Sequence, residues 1–401
     1  MAEFRESEVQ SAAMRRLTPF AIVALAVAVG ACSATRRAPA AVPAHEPWLE
    51  LAGEFNIPPL TKFAPLKAAR FGGVSGITFD PTPGPGGRDL LGICDDRETS
   101  RLFIFRIEGE GAAFRVNLRA YFPLPSGAGA PEALDAEGIA MDRSGRIYVA
   151  SEGVQNRSPR IPPSITIYNR RVEYLGQLPV PPRFIAAERG EVTRGMRENR
   201  GFESLTMTSD ERHLFTATEL PLVQDGPPPS FERGALTRIL EYQSDGDSFR
   251  PAREFAYPLD AIAKVDFTPR TSINGVVELL ALSRTELLVM ERSFAVEPGE
   301  NARSVARIRI YRASLADASD VSRVESLQKP RGVRAVRKTL LLDLADVKGL
   351  SPELAALDNF EGMAFGPTLA DGSRSLLLVS DDNFSTRQRT SFLLFRIRRP
   401  L

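Results

Sequence analysis

The sequence predicts an all-β fold, a β-propeller of antiparallel four-stranded blades, and three observations predict it. A short template recurs five times along the 401-residue chain. Each copy holds two apolar runs that alternate with the period of a half-buried strand. Successive copies, measured at Gly76, Gly138, Ser204, Gly275 and Gly362, lie 62, 66, 71 and 87 residues apart. Intervals of that size hold a four-stranded sheet and a long loop.

The copies justify the strands in order. SGITFD from Ser75 is followed by LLGICDDR ending at Arg97, and AEGIAMD from Ala136 by GRIYVASEG ending at Gly153. GFESLTMT from Gly201 is followed by HLFTATE ending at Glu219, INGVVEL from Ile273 by ELLVMERSF ending at Phe294, and FEGMAFG from Phe360 by LLLVSDDNF ending at Phe384. Each pair reads as a β-hairpin. Third strands are expected at LFIFRI (from Leu102), SITIYN (Ser164), LTRILEY (Leu236), ARIRIYR (Ala306) and SFLLFRIR (Ser391), with an outer strand at RKTLLLDL (Arg337). The run at Ser391 is expected to complete a sheet with N-terminal strands and close the ring. Six blades are expected, within a range of five to seven.

The template also locates the acids. In an antiparallel hairpin the start of the first strand and the end of the second share one end of the sheet. Glu137, Glu203 and Glu361 stand at the first position, with Ser75 and Asn274 as their equivalents. Asp95, Asp96, Glu152, Glu219, Glu291, Asp381 and Asp382 stand at the second, and Asp135 lies beside Glu137. A closed ring gathers them at one mouth of the channel. Such a group repels itself unless neutralised, and an oxygen-rich set without histidine suits calcium, which accepts six to eight oxygens in flexible geometry. The competing expectation is structural, because strand-terminal Asp and Glu also satisfy backbone N–H groups at turns.

Composition narrows the chemistry. Lys and Arg number 51 against 50 Asp and Glu, so no global field draws the chain to nucleic acid or an anionic membrane. His45 and His213 are the sole histidines, which leaves little for imidazole catalysis or a His-rich zinc site. The segment GGVSGI lacks nucleophile-elbow spacing, and His213 falls in a hairpin turn at the end opposite the acids. No Walker sequence, dinucleotide fingerprint or CxxC pair is present.

The N-terminus reads as an address. Met14, Arg15 and Arg16 precede an apolar run from Leu17 to Val29, in the order of a secretory signal, with the upstream residues an extension. Val29, Gly30, Ala31 and Cys32 resemble a bacterial lipobox, in which the cysteine is acylated; the other reading is an ordinary signal peptide with Cys32 incidental. Residues 1–32 are thus assigned to the extension and lipoprotein signal, 33–47 to an Ala/Pro-rich tether, and 48–401 to one propeller domain. Lipidation of Cys32 leaves Cys94 without a partner for a disulfide. Ser33 after the cysteine favours the outer membrane, facing the periplasm; a soluble periplasmic or secreted protein is the alternative. A monomer that touches membrane through its lipid alone is expected.

The motifs GGVSGITFD, DAEGIAMDRSGRIYVASE, NRGFESLTMTSDERHLFTATE and DNFEGMAFGP with LLLVSDDNFS together resemble the phytase-like domain family, described as an esterase-like activity of phytase. The resemblance runs from about Phe71 to Arg398. It implies a calcium-dependent phosphatase site at the channel mouth, acting on a small ester. By resemblance, Asp135, Glu137, Glu203, Glu361 and Asp381 or Asp382 are metal ligands or the base that positions water. Glu137, Glu203, Glu361 and Asp381 are the implied catalytic acids, and Asp95, Asp96, Glu152 and Glu219 join the candidate ligands. Arg97, Arg200 and Arg292 adjoin the acidic ends, placed to hold phosphate oxygens or to pair with neighbouring carboxylates. The DDPAIW-type segment of the well-known phytases has no clear counterpart here, which weighs against inositol hexakisphosphate as substrate. Two other functions fit the same sequence: a non-catalytic envelope propeller that binds a protein or glycan, with calcium bracing the ring, and a calcium-dependent carboxylesterase or lactonase.

Overall fold

The first strand, β1 (Leu49–Ile57), belongs to the last blade, and the others follow in chain order. Blade one holds β2 (Val74–Phe79), β3 (Asp89–Cys94), β4 (Arg101–Glu108) and β5 (Arg115–Pro123). Blade two holds β6 (Ala136–Met141), β7 (Ile147–Ser151), β8 (Ser164–Tyr168) and β9 (Tyr174–Leu178). Blade three holds β10 (Thr206–Met207), β11 (His213–Ala217), β12 (Ala235–Asp245) and β13 (Ser248–Leu259). Blade four holds β14 (Thr271–Ala281), β15 (Glu286–Val296), β16 (Ser304–Ser314) and β17 (Arg337–Asp343). Blade five runs β18 (Asn359–Phe365), β19 (Ser375–Asp381) and β20 (Thr390–Ile397), with β1 as its outer strand. The computed structural model describes residues 47–66, 69–82, 89–125, 127, 129–299, 302–354, 357 and 359–401. The segments expected to be a secretory signal and tether, with Cys32, lie outside the described residues as far as residue 46.

The propeller has five blades, not six. Each template copy builds one blade, and the N-terminal strand completes the fifth instead of seeding a sixth. β1 pairs antiparallel with β20, from Leu49 opposite Ile397 to Ile57 opposite Thr390, so the two ends of the domain close one sheet. The long interval before blade five is taken up inside blade four. Its strands β14, β15 and β16 each run 11 residues, and a long connection separates β16 from β17.

Alternation explains how the ring holds together. Along β19, Leu377 and Val379 pack with Leu90, Phe103 and Phe105 of blade one, while Leu376 and Leu378 pack with Leu288, Ile308 and Ile310 of blade four. Both faces of the sheet are therefore core, which is why every residue of β19 is buried. Equivalent clusters join blades one and two, two and three, and three and four. Apolar burial between neighbours stabilises at about 25 cal/mol per Å² of area removed from water.

A β-bulge in the inner strand sets the mouth. In blade one Val74 faces Cys94 but Gly76 faces Ile93, which leaves Ser75 unpaired. Glu137 is skipped in the same way in blade two and Glu361 in blade five. In blade three the shift falls between the Phe202–Thr218 and Thr206–Phe215 pairs, the stretch that contains Glu203. A bulge re-aims the side chain it carries, and here it turns the acids to the axis. The following residue approaches the next blade closely. A Cβ on Gly76 would lie 2.3 Å from the Glu137 carbonyl oxygen, and one on Gly138 2.4 Å from the Ser204 carbonyl carbon.

Blade four corrects the sequence alignment. Its bulge skips Val277, between Val276 opposite Glu291 and Glu278 opposite Met290, so Asn274 and Gly275 do not occupy the repeat positions assigned to them. Counted from the bulge, Glu278 stands where the other inner strands carry Gly76, Gly138 and Gly362. Arg292, two residues past Met290, stands where they carry Asp95, Glu152 and Asp381. Glu291 faces away from the mouth. It accepts from Tyr257 Oη (2.8 Å), Asn274 Nδ2 (2.9 Å) and Asp260 N (3.1 Å), and pairs with Lys338.

Candidate functional site

The inner-strand bulges and the ends of the second strands converge on a cavity of about 1080 Å³. Asp95, Asp96, Asp135, Glu137, Glu203, Glu361 and Asp381 line it, with Arg97, Arg200 and Arg292. Glu152 and Glu219 are buried behind that lining. Most of the sequence-derived set is thus brought to one place; Glu291 is not, Asp382 lies outside the cavity lining, and Asp96, Asp381 and Asp382 are engaged in turns. Asp96 turns to Arg101 at 2.7 Å and accepts the N–H groups of Glu98 and Thr99, as a turn-forming aspartate does. Asp382 accepts the N–H groups of Gly73 and Phe384, both at 3.0 Å. Together with Asp381, which accepts Asn383 N at 2.8 Å, it braces a turn in which Asn383 and Phe384 both take positive φ, 47° and 50°.

Two groups of three carboxylates share a member. Oxygens of Asp135, Glu137 and Glu152 lie within 4.8 Å of one another, and so do those of Glu152, Glu203 and Glu219. All five residues are buried. Glu152 accepts Gly201 N through Oε1 at 2.6 Å, while its Oε2 is buried with no hydrogen-bond donor. Asp95 Oδ1 is buried without a donor as well.

Burial, with like-charge repulsion from neighbours, raises several acids of the cavity. Burial pushes Glu152 up to about 8, with Asp135 adding like charge, and pushes Asp95 up to about 7, with Glu361, Asp135 and Asp382 contributing. Burial also holds Glu137, Glu203 and Asp381 well above the carboxylate range. For Glu361 burial raises the pKa and the adjacent Arg292 opposes it.

The arginines answer part of the charge. Arg97 donates to Asp135 at 2.5 Å and to Asn199, and Arg200 lies 3.2 Å from Glu219. Arg292 is 5% exposed and bonds Glu219 at 3.2 Å, Glu361 and Asn359. Of the two expectations for the arginines, all three make the carboxylate pairs. Arg97 and Arg200 keep exposed surface toward the cavity, and Arg292 is an internal counter-ion.

Sequence reasoning missed Glu278, which is buried in the inner ring. It accepts Leu279 N at 2.9 Å and also the N–H groups of Leu205 and Met363, so backbone from blades three, four and five converges on it. Asn359, Arg387 and Arg389 of the cavity lining were missed too. The signal for Glu278 was present in INGVVEL: an acid three residues past Gly275 in a strand otherwise expected to be core.

A five-bladed propeller with a carboxylate-lined mouth is the class that fold and site define. The chain belongs to the phytase-like family, described as esterase-like activity of phytase, whose model matches residues 69–384. No curated protein matches it. Among solved structures it is similar to a glycosyl hydrolase from Bacteroides ovatus, at 10% identity and TM-score 0.39, covering 88% of this chain and 92% of that one. It is also similar to an α-L-arabinanase from Cellvibrio cellulosa, at 11% identity and TM-score 0.34, covering 80% and 91%. Likeness at that level carries no information on what this chain binds or turns over.

Proposed function

We propose that this protein is a calcium-dependent hydrolase of phosphate esters. The observation that carries the reading is the shared Glu152, a buried carboxylate common to two three-acid groups, with one oxygen that has no donor. Neutral protein dipoles do not compensate so many buried acids, and a hard cation with oxygen preference does. The donor set fits calcium: Asp135, Glu137, Glu152, Glu203 and Glu219 would hold it, all through oxygen. When bound, such an ion supplies positive charge to phosphoryl oxygens and lowers the pKa of nearby water.

The chain's own residues supply the rest. Arg97 and Arg200 reach into the cavity from its rim and orient anionic substrate oxygens. Glu361, linked to Glu219 through Arg292, and Asp381 in the cavity lining are the acids that take the proton of an attacking water. Arg292 keeps Glu361 from repelling the incoming phosphate, because their charges cancel.

The test is turnover of a generic phosphomonoester and of a short-chain carboxylic ester by metal-stripped residues 48–401 across a calcium titration, with thermal stability followed in parallel. Calcium that raises stability and phosphoester turnover together supports the proposal. Turnover of the carboxylic ester alone would move the chemistry to an esterase or lactonase. Stabilisation without turnover would favour a binding propeller braced by ions, a reading favoured by the backbone N–H groups that already engage Asp381 and Asp382.

A further inference from the structure

The hairpin β15–β16 rises above the mouth. Asp95, Glu152, Glu219 and Asp381 stand at or just past the ends of β3, β7, β11 and β19, whereas β15 continues four residues beyond Arg292 to Val296. At roughly 3.3 Å per residue the extension stands about 13 Å tall. Residues i, i+2 and i+4 share one face of a strand, so Arg292, Phe294 and Val296 form one stripe. β16 completes that face with Ala306 opposite Phe294 and Ser304 opposite Val296. Phe294, Val296 and Ala306 are each only partly buried, and all of them line the cavity whose other side carries the acids.

We propose that this raised stripe is a subsite for the apolar body of the substrate, and that the substrate class is an aryl or alkyl phosphate monoester. The inference rests on the hydrolase reading above. A ligand that fills this cavity meets carboxylates at the floor and an apolar wall on blade four, so it is amphiphilic. An all-polar polyanion gains nothing from Phe294 and Val296. It also meets few cations to spare, because Arg97 and Arg200 share their charge with Asp135 and Glu219 and Arg292 is an internal counter-ion. Among the described residues, Arg387 and Arg389 line the cavity outside any salt bridge within 4.0 Å, with Arg389 under the influence of Glu353, which suits one phosphoryl group and not six.

Binding of methylphosphonate and phenylphosphonate to the calcium-saturated protein, measured by calorimetry, reads the wall apart from turnover. Phenylphosphonate is expected to bind at least about tenfold more tightly, in line with burial of an aromatic ring at about 25 cal/mol per Å². Val296→Asn, near the tip of the hairpin and away from the core, is expected to erase most of that preference and leave methylphosphonate unchanged; Phe294→Ala should do the same if it folds. Equal affinity for the two phosphonates, or a preference that survives Val296→Asn, overturns the subsite while leaving the hydrolase reading intact. If neither phosphonate binds and no phosphomonoester is turned over, the hydrolase reading fails and the subsite falls with it.

Discussion

Arg292 of blade four and Glu361 of blade five are ion-paired across the seam between their blades, from the register position at which other blades carry Asp95, Glu152 and Asp381. One cation thus stands in a ring of acids, buried and bonded to Glu219 as well.

Removing that cation leaves buried carboxylates uncompensated. Arg292→Met is expected to destabilise the metal-free protein by about 3–5 kcal/mol, the usual cost of breaking a buried pair on one side. Denaturant unfolding in chelator measures it, and a loss within about 0.5 kcal/mol, as at an ordinary surface site, would refute the counter-ion role.

Glu152 is the shared ligand of the proposed calcium site, and Glu152→Gln keeps its shape while removing its charge. Saturation at a hundred times Kd stabilises a folded protein by about 2.7 kcal/mol. The variant should lose most of the calcium-induced rise in Tm and at least about tenfold in turnover. A variant with the wild-type calcium response would sink the assignment.

Acid pH should stabilise the metal-free fold, and Glu278 offers a clean reading of the sign. Burial raises its pKa well above 4.5. Below pH 4.5 folded and unfolded chains both hold the proton, and the folded state bears no penalty. As pH rises the unfolded chain releases it first, so stability falls until the folded-state pKa is reached. Glu278→Gln should flatten the decline of unfolding free energy between pH 5 and 8 in chelator; an unchanged slope would contradict it.

Closure through the termini predicts that residues 49–57 cannot be dispensed with. Their removal strips β1 from β20 and exposes an edge lined by Phe392, Leu393 and Leu394. The truncated protein is expected to aggregate in size-exclusion chromatography, whereas a soluble monomer with native Tm would show that the strand is ornamental.

The lipobox reading predicts that Cys32→Ala abolishes fatty-acid labelling and releases the protein from the membrane fraction of the expressing cells. Unchanged fractionation would return the segment to an ordinary signal peptide.

Most of the architecture was legible because the propeller repeats itself in sequence. The alternating runs named every third strand, and SFLLFRIR was read as the closing partner of N-terminal strands, where β20 meets β1. The blade count was not legible, since spacing does not show which strands share a sheet and the long fourth interval could hide another blade. The acids were legible as a group because hairpin geometry brings both template positions to one end. What failed was register in blade four. Asn274–Gly275 mimics the acid–glycine signature, but the bulge falls at Val277, and a one-residue slip exchanges faces. Glu291 therefore went to Lys338 and Tyr257, and Arg292 took the mouth. The local sequence carried no mark of that choice, which depends on Glu278 finding N–H donors in two neighbouring blades.

That same Glu278 keys the ring. It is buried at the post-bulge position that glycine holds in blades one and two, where a Cβ on Gly76 or Gly138 would run into the backbone of the next blade. The inner strand of blade four therefore cannot be exchanged with that of blade one or two. Five copies of one template have become parts that each fit a single slot.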